Sequence, residues 1–411
     1  MTNLPTGTPA GQASCQAPRQ AVKPPPGQQH ALLRILGLAC FGSSLGVFLF
    51  DPMLPMLSRD FAVPRSQVVA MATAFALAYA LAQPIAGALG DQLGKLRVMR
   101  VCLGVSALGT LLGSLAPSFE LLLATRLVVG FFTAGTFPLC FAILAERIAP
   151  EGHQEAFGKA SAASVTGSLA GAVGAGFVAD AVGWRGSLFL AGLIGLTCFA
   201  VVMAVLRDTR EDSSSRAGFG SALSAYYRIL GLASARRGLG LQLALTGLTQ
   251  GLFPHIAFLV GASASTVGIV LSGFMIGSIA YGLSLRRTLR WITPARLTLA
   301  GGLVMTLAMA SLSAHLPWPF QFGALLAFGF AYRSAAIPLQ TYLATLTPKT
   351  QGAMMALHSM AAMLGQSAMP LIYAAGFDRA GIMPTLLVSA CLLGLCAVTV
   401  ASIMRSSKRS H

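Results

Sequence analysis

Gly87-Ala-Leu-Gly-Asp-Gln-Leu-Gly-Lys-Leu-Arg97 joins two long apolar segments of this chain. Gly87, Gly90 and Gly94 surround one acid, Asp91, and three cations follow it: Lys95, Arg97 and Arg100. A tight turn at a membrane face calls for these residue types. Glycine permits special φ/ψ and close approach, an acid caps a helix, and cations hold the turn in the cytosol. An ordinary positive-inside hairpin accounts for the cations. It does not account for three glycines placed around one carboxylate.

The rest of the chain agrees with a membrane setting. Of 411 residues, 55% are hydrophobic and only 10% charged, with a mean hydropathy of +0.72. A soluble globule carries roughly 25% charged residues. The composition therefore predicts a polytopic membrane protein whose main partner is the lipid bilayer. The net charge of +16 sits in short clusters between apolar runs, which is a topology signal and excludes a nucleic-acid groove. Seven cysteines show no Cys-x-x-Cys spacing, and all but Cys15 fall in apolar runs, so no disulfide or metal framework is expected. Residues 1–30, rich in Pro, Gln and Gly, read as a disordered cytosolic tail with no cleaved signal.

Each span needs about 20 apolar residues. On that basis helices are expected over 31–54, 67–89, 97–116, 120–144, 156–180, 185–206, 238–260, 264–285, 295–314, 319–344, 351–376 and 382–404. The charges test the count. With both termini cytosolic, only Arg59, Arg65, Arg185 and Arg379 of the 28 Lys and Arg fall outside, and Arg126 and Arg333 fall within spans. All the others lie on the cytosolic side. An error of one helix would flip every later loop and erase this asymmetry. Residues 207–237 form the longest internal connection, polar and then mildly amphipathic. They divide the chain into halves, 31–206 and 238–404, with a short tail at 405–411. The fold class is thus an all-α membrane protein of twelve helices in two six-helix halves. The second half keeps a worn copy of the opening turn: aligning Arg287 with Lys95 places Gly282 on Gly90, but Leu283 stands where the acid would be.

The Gly87–Arg97 stretch resembles the G-x-L-x-D-x-x-G-[RK] signature of the major facilitator superfamily, which joins the second and third helices of those transporters. The resemblance implies two parallel halves, each a nested inverted repeat, that rock about a central cavity. The turn would then belong to the cytoplasmic gate, with Asp91 capping or pairing across the halves when the cytosolic side is shut, and Arg97 and Glu146 as charge partners. The fifth span reads Gly158, Gly167, Gly171, Ala172, Ala175, Gly176. Its spacing resembles the antiporter motif G-x8-G-x3-G-P-x2-G-G of exporters, with the proline replaced by Ala172 and one glycine by Ala175. Plain close packing of small residues is the alternative reading. Trp184-Arg185 resembles the family's Trp-Arg element at the start of the sixth helix.

Ionisable groups inside spans cost at least about 2.5–3.5 kcal/mol when unpaired, so they are candidates by default. Asp51, in Asp51-Pro-Met-Leu-Pro55, is either an interfacial cap before Pro52 or a protonatable carboxylate. The element resembles the Asp-x-x-x-Pro of twelve-span drug/proton antiporters. In such a site burial disfavours the carboxylate and a nearby cation favours it. Arg126, followed by Gly130, resembles the buried arginine of the family's fourth helix; it partners Asp51 or snorkels outward. Arg333, His255, Gln340, His358 and Tyr79 are candidates for the cavity wall, each also readable as an interhelical hydrogen bond.

No Gly-x-x-x-x-Gly-Lys motif is present, so no nucleotide or other cofactor is expected and energy must come from a gradient, which the antiporter resemblance implies is one of protons. The expected function is a monomeric proton-coupled exporter of a small organic molecule, a drug or a metabolite such as a siderophore. The resemblance places it in a bacterial inner membrane. An uptake symporter and a non-transporting sensor are the alternatives. No acid/base or nucleophile cluster suggests an enzyme.

Overall fold

The computed structural model describes residues 26–148, 152–206, 219–288, 290–314, 316–347 and 350–407. Residues 1–25 of the expected tail, 207–218 of the expected connection, Lys349, the last four residues and the side chain of Arg286 lie outside the described residues. Within them the regular structure is helical: α1 (Pro26–Ser44), a 3-10 turn (Asp51–Met53), α2 (Leu54–Asp60), α3 (Arg65–Leu93), α4 (Lys95–Gly113), α5 (Phe119–Arg147), α6 (His153–Val205), α7 (Phe219–Gly231), α8 (Ala233–Gln250), α9 (Phe253–Val260), α10 (Ala264–Thr288), α11 (Pro294–Ser311), a second 3-10 turn (Leu312–Ala314), α12 (Trp318–Leu346), α13 (Gln351–Ala380) and α14 (Ile382–Ser407). Helices satisfy their own backbone polar groups, which lipid cannot do for them.

Ten stretches of the described residues are long and apolar enough to cross a membrane. One of them, Glu155–Val205, has 51 residues. At 1.5 Å per residue that is about 76 Å, enough for two passes. The expected fifth and sixth spans meet inside it at Gly183, whose φ of 79° breaks the helix direction without a loop. The expected first span is not one helix. It unwinds from Leu45 to Phe50 and resumes as the 3-10 turn and α2, because Pro52 and Pro55 cannot donate to the preceding turn. The seventh span breaks the same way at Gly251, ahead of Pro254. Helix also extends beyond the expected segments. α1 begins at Pro26, inside the expected tail, and α7 occupies the second part of the expected connection.

The chain folds back through single glycines. Gly94, between α3 and α4, has a φ of 96°, which a side chain strongly disfavours. The end of the bundle carrying Gly94 is called the turn face below, and the opposite end the distal face. Each half has its own apolar core. One N-terminal cluster centres on Leu36, Met99 and Leu144, and a second on Leu49, Met53 and Trp184. The main C-terminal cluster centres on Phe253, Met305 and Tyr373. The halves meet chiefly along two helix pairs, α3 with α13 and α6 with α10.

Candidate functional site

The unwound stretch 45–50 creates the site. It frees the Gly46 carbonyl from helical pairing, and Arg126 Nη1 on α5 donates to that oxygen at 3.2 Å. Gly130, one turn after Arg126, lies directly on the backbone of Phe75. That close approach of α5 to α3 brings the Phe75 ring under the guanidinium, 4.2 Å from its centroid, and Phe50 sits at 4.4 Å. Each aromatic face over a cation contributes roughly 0.5–2 kcal/mol. Arg126 is 3% exposed and Asp51, at the start of the 3-10 turn, 6%. Each is the other's charge partner, but Arg126 spends its hydrogen bond on Gly46. Its Nε is buried with no partner. The snorkelling geometry is not what the structure shows for this arginine.

Both halves line the small cavity here: Val47, Phe50, Asp51, Ala72, Phe75 and Arg126 from one, Gln250, Pro254 and Gln366 from the other. Gln366 Oε1 is a second buried atom without a partner. The cavity wall therefore combines apolar side chains with one acid, one cation and two amides.

On its distal side the cavity is sealed. Arg65, at the start of α3, donates to His255 Nδ1 on α9 from Nε at 3.2 Å and from Nη2 at 2.9 Å. His255 Nε2 donates to the Pro370 carbonyl on α13 at 2.8 Å. Thr73 and Ser367 exchange hydroxyl-to-carbonyl bonds of 2.9 and 3.2 Å between α3 and α13. Asp180 accepts from the backbone amides of Ala264 and Ser265 at 3.0 and 2.9 Å, capping α10 from the other half. All these inter-half bonds lie in the distal part of the spans. Towards the turn face, Gly87, Gly158, Gly282 and Gly352 border open space.

The other sequence-predicted residues fall as follows. At the turn, Asp91 lies 3.6 Å from Lys95 in its own half, and Glu146 on α5, expected as a charge partner of Asp91, is an acid that bonds Lys95 instead. Gly90 rests against Leu139 of α5. Arg97 is exposed just after the bend. On α6, Gly167 and Gly171 lie on the backbone carbonyls of Phe41 and Leu45, and Gly176 on that of Ala264 across the halves. Ala172 is fully buried, with Gly268 of α10 against its carbonyl. Tyr79 is half-buried beside Phe75, with Gln83 as its hydroxyl partner. His255 is in the distal seal. Arg333 is half-buried, its guanidinium 6.0 Å from the Tyr332 ring. Gln340 is exposed near Met355. His358 is half-buried, and its Nδ1 has no partner.

Sequence reasoning missed Phe50, Phe75 and Arg65 as members of the site. Arg65 carried a usable signal: it is a cation opening an apolar helix on the side poor in cations. The aromatic rings carried none, since phenylalanine is unremarkable in any span.

Residues 36–253 match the family model of the Major Facilitator Superfamily. The quinolone resistance protein NorA of Staphylococcus aureus is 26% identical over 173 residues, covering 42% of this chain and 44% of that protein. The multidrug resistance protein MdtG of Serratia proteamaculans is 27% identical over 182 residues, covering 43% and 44%. The match thus spans less than half the length of these curated relatives. Among solved structures, a bacterial homologue of the human lysosomal transporter Spinster, inward-facing and unoccupied, gives a TM-score of 0.70 at 16% identity, covering 93% of this chain and 98% of that one. The nucleoside transporter NupG gives 0.72 at 13% identity, covering 92% and 99%. At these identities the likeness concerns the fold. Together with the family match over more than half the chain, it identifies a transporter rather than an enzyme, and the chain belongs to the major facilitator superfamily.

Proposed function

We propose that this protein is a proton-coupled exporter of small organic molecules, drugs or metabolites, in a bacterial inner membrane, with the turn face in the cytosol. The burial of both Asp51 and Arg126 in a cavity that the two halves line carries the reading. A carboxylate there is uncharged when protonated and held by Arg126 when not, so a proton and a solute compete for one cavity. In this reading the turn face is the loading side, because the inter-half hydrogen bonds gather at the distal end. Protonation from outside then follows once the seal opens. One proton supplies about 1.4 kcal/mol per pH unit and about 2.3 kcal/mol per 100 mV. The spacing of Gly158, Gly167, Gly171 and Gly176, and the resistance-protein names of the relatives, favour export.

The test is proton flux in proteoliposomes carrying an internal pH dye, challenged with a solute panel. Wild type, Asp51→Asn and Arg126→Ala are compared. Solute-dependent proton movement in wild type and its loss in Asp51→Asn are expected. Coupled flux unchanged in Asp51→Asn removes that residue as the carrier, and solute flux without proton movement removes the coupling. Proton and solute moving in the same direction would make the protein an uptake symporter.

A further inference from the structure

His255 is 190 positions from Arg65 in sequence, and the two meet in the distal seal. The chemistry of their contact fixes the state of the ring. Guanidinium nitrogens only donate, so Nδ1 must be the acceptor. A carbonyl oxygen only accepts, so Nε2 must carry the hydrogen that reaches Pro370. The ring is neutral in one defined tautomer, and it is fully buried. A proton arriving at Nδ1 has nowhere to sit while Arg65 occupies that position. It would also place two cations in contact, against a hydrogen bond that holds the halves together.

We propose that His255 Nδ1 is a second proton-binding site, in competition with Arg65, and that occupying it releases the distal seal. The elements packed against α9 are the 3-10 turn, α2, α3, α10 and α13. Their charged and titratable groups at this end are Asp51, Arg59, Asp60, Arg65, Tyr373, Asp378 and Arg379. Arg59 donates to the Pro55 carbonyl, Asp60 accepts from Trp184 Nε1 at 2.7 Å, and the Tyr373 hydroxyl donates to Leu248 at 2.8 Å. Asp378 acts on Arg65 by charge, and Arg379 is exposed. Tyr281 and Arg287 of α10 lie towards its turn-face end. Arg65 is thus the group that meets the proton's position. Its guanidinium also lies over Phe258 and Phe377, at 4.8 and 5.1 Å, which gives it a resting place when His255 is charged.

The sign follows directly. The sealed form excludes the proton and the opened form binds it, so acid favours opening. A single competing proton changes the open-to-sealed ratio by up to about tenfold per pH unit. The inference rests on the proposed function only in placing the distal face outside the cell.

The experiment uses full-length protein in nanodiscs without solute, with spin labels at Val182→Cys and Phe320→Cys in a background whose native cysteines are serine. Pulsed electron resonance at pH 8 and pH 5 reads the distal separation. Wild type should shift to longer distances in acid. His255→Gln can accept from Arg65 and donate to Pro370 but does not titrate, so it should stay sealed at both values. Asp51→Asn should open in acid as wild type does. An unmoving wild type, equal acid opening in His255→Gln, or loss of opening in Asp51→Asn each overturns the inference. A second readout on wild type needs no His255 variant. Nitrogen-15 spectra of labelled histidines, with the His255 signal assigned by its response to Arg65→Lys, should show Nε2–H at pH 8; the Nδ1–H tautomer overturns the inference. Failure of the export reading would appear in the flux assay and leave these distances unchanged.

Discussion

At the break in its first helix the N-terminal half carries Asp51 followed by Pro52. At the matching break the C-terminal half carries Phe253 followed by Pro254. The surroundings repeat as well. Gly130 lets α5 lie on the backbone of Phe75, and Gly329 lets α12 lie on the backbone of Phe274. Four residues before each glycine stand Arg126 in one half and Leu325 in the other. Where Arg126 covers Phe75, Phe253 packs edge-on against Phe274 at 4.9 Å. The scaffold is duplicated and the charge is not. At this break one half therefore places an acid and a cation, and the other places Phe253 and Leu325.

The sharpest way to break this comparison is to convert one half into the other. Arg126→Leu leaves Asp51 buried without its cation, which costs about 3–5 kcal/mol and should abolish coupled flux. Adding Asp51→Phe removes the orphaned charge. The double variant should recover most of the lost stability while remaining inactive, read by thermal unfolding in detergent and by proteoliposome flux. A double variant no more stable than Arg126→Leu would mean that the two sites are not equivalent.

Helix packing offers a second, smaller test. In the N-terminal half both glycines sit on α6, Gly167 on Phe41 and Gly171 on Leu45. In the C-terminal half Gly365 of α13 meets Leu243, but one turn on the small residue has changed helix: Gly247 of α8 faces Met369. Gly171→Met should overpack this contact by about 1–3 kcal/mol, and Leu45→Gly should not relieve it, because the atom in the way is the Leu45 backbone carbonyl. Gly158→Leu, at the open end of the same helix, should change stability by no more than about 0.5 kcal/mol. Equal melting-temperature losses at Gly158 and Gly171 would contradict the packing described.

The turn gives the smallest effect. Asp91 is partly exposed and pairs with Lys95 within its own half, so Asp91→Asn should cost about 0–1 kcal/mol in this conformation. Solute binding should persist and turnover should slow, because the carboxylate's proposed role lies in the other conformation. Unchanged turnover removes Asp91 from the gate. Its counterpart Leu283 is exposed, and Leu283→Asn should alter neither property.

Much of this was readable before the fold. Apolar runs mark the spans because lipid demands about 20 such residues, and Gly94 marks the bend because a side chain strongly disfavours its backbone angle. The depth of Arg126 and the proline after Asp51 singled out those two residues. The facing of the helices was not readable. Interior and lipid-exposed sides of a membrane helix are equally apolar, so nothing in the one-dimensional pattern says that Arg65 turns towards His255 or that Phe75 lies under Arg126. A break before Pro52 was readable, but its extent was hidden, since Leu45–Phe50 is as hydrophobic as the helix it interrupts.

The single residue Gly183 separates the two passes of α6, and three residues earlier Asp180 grips the start of α10. A joint this short has no slack. The fifth pass, which Asp180 ties to α10, therefore passes to the sixth without a loop between them. The sixth pass shows Phe189, Leu193 and Met203 on its outer side. One glycine is thus the covalent link between the pass that grips the other half and the pass whose outer side chains meet lipid.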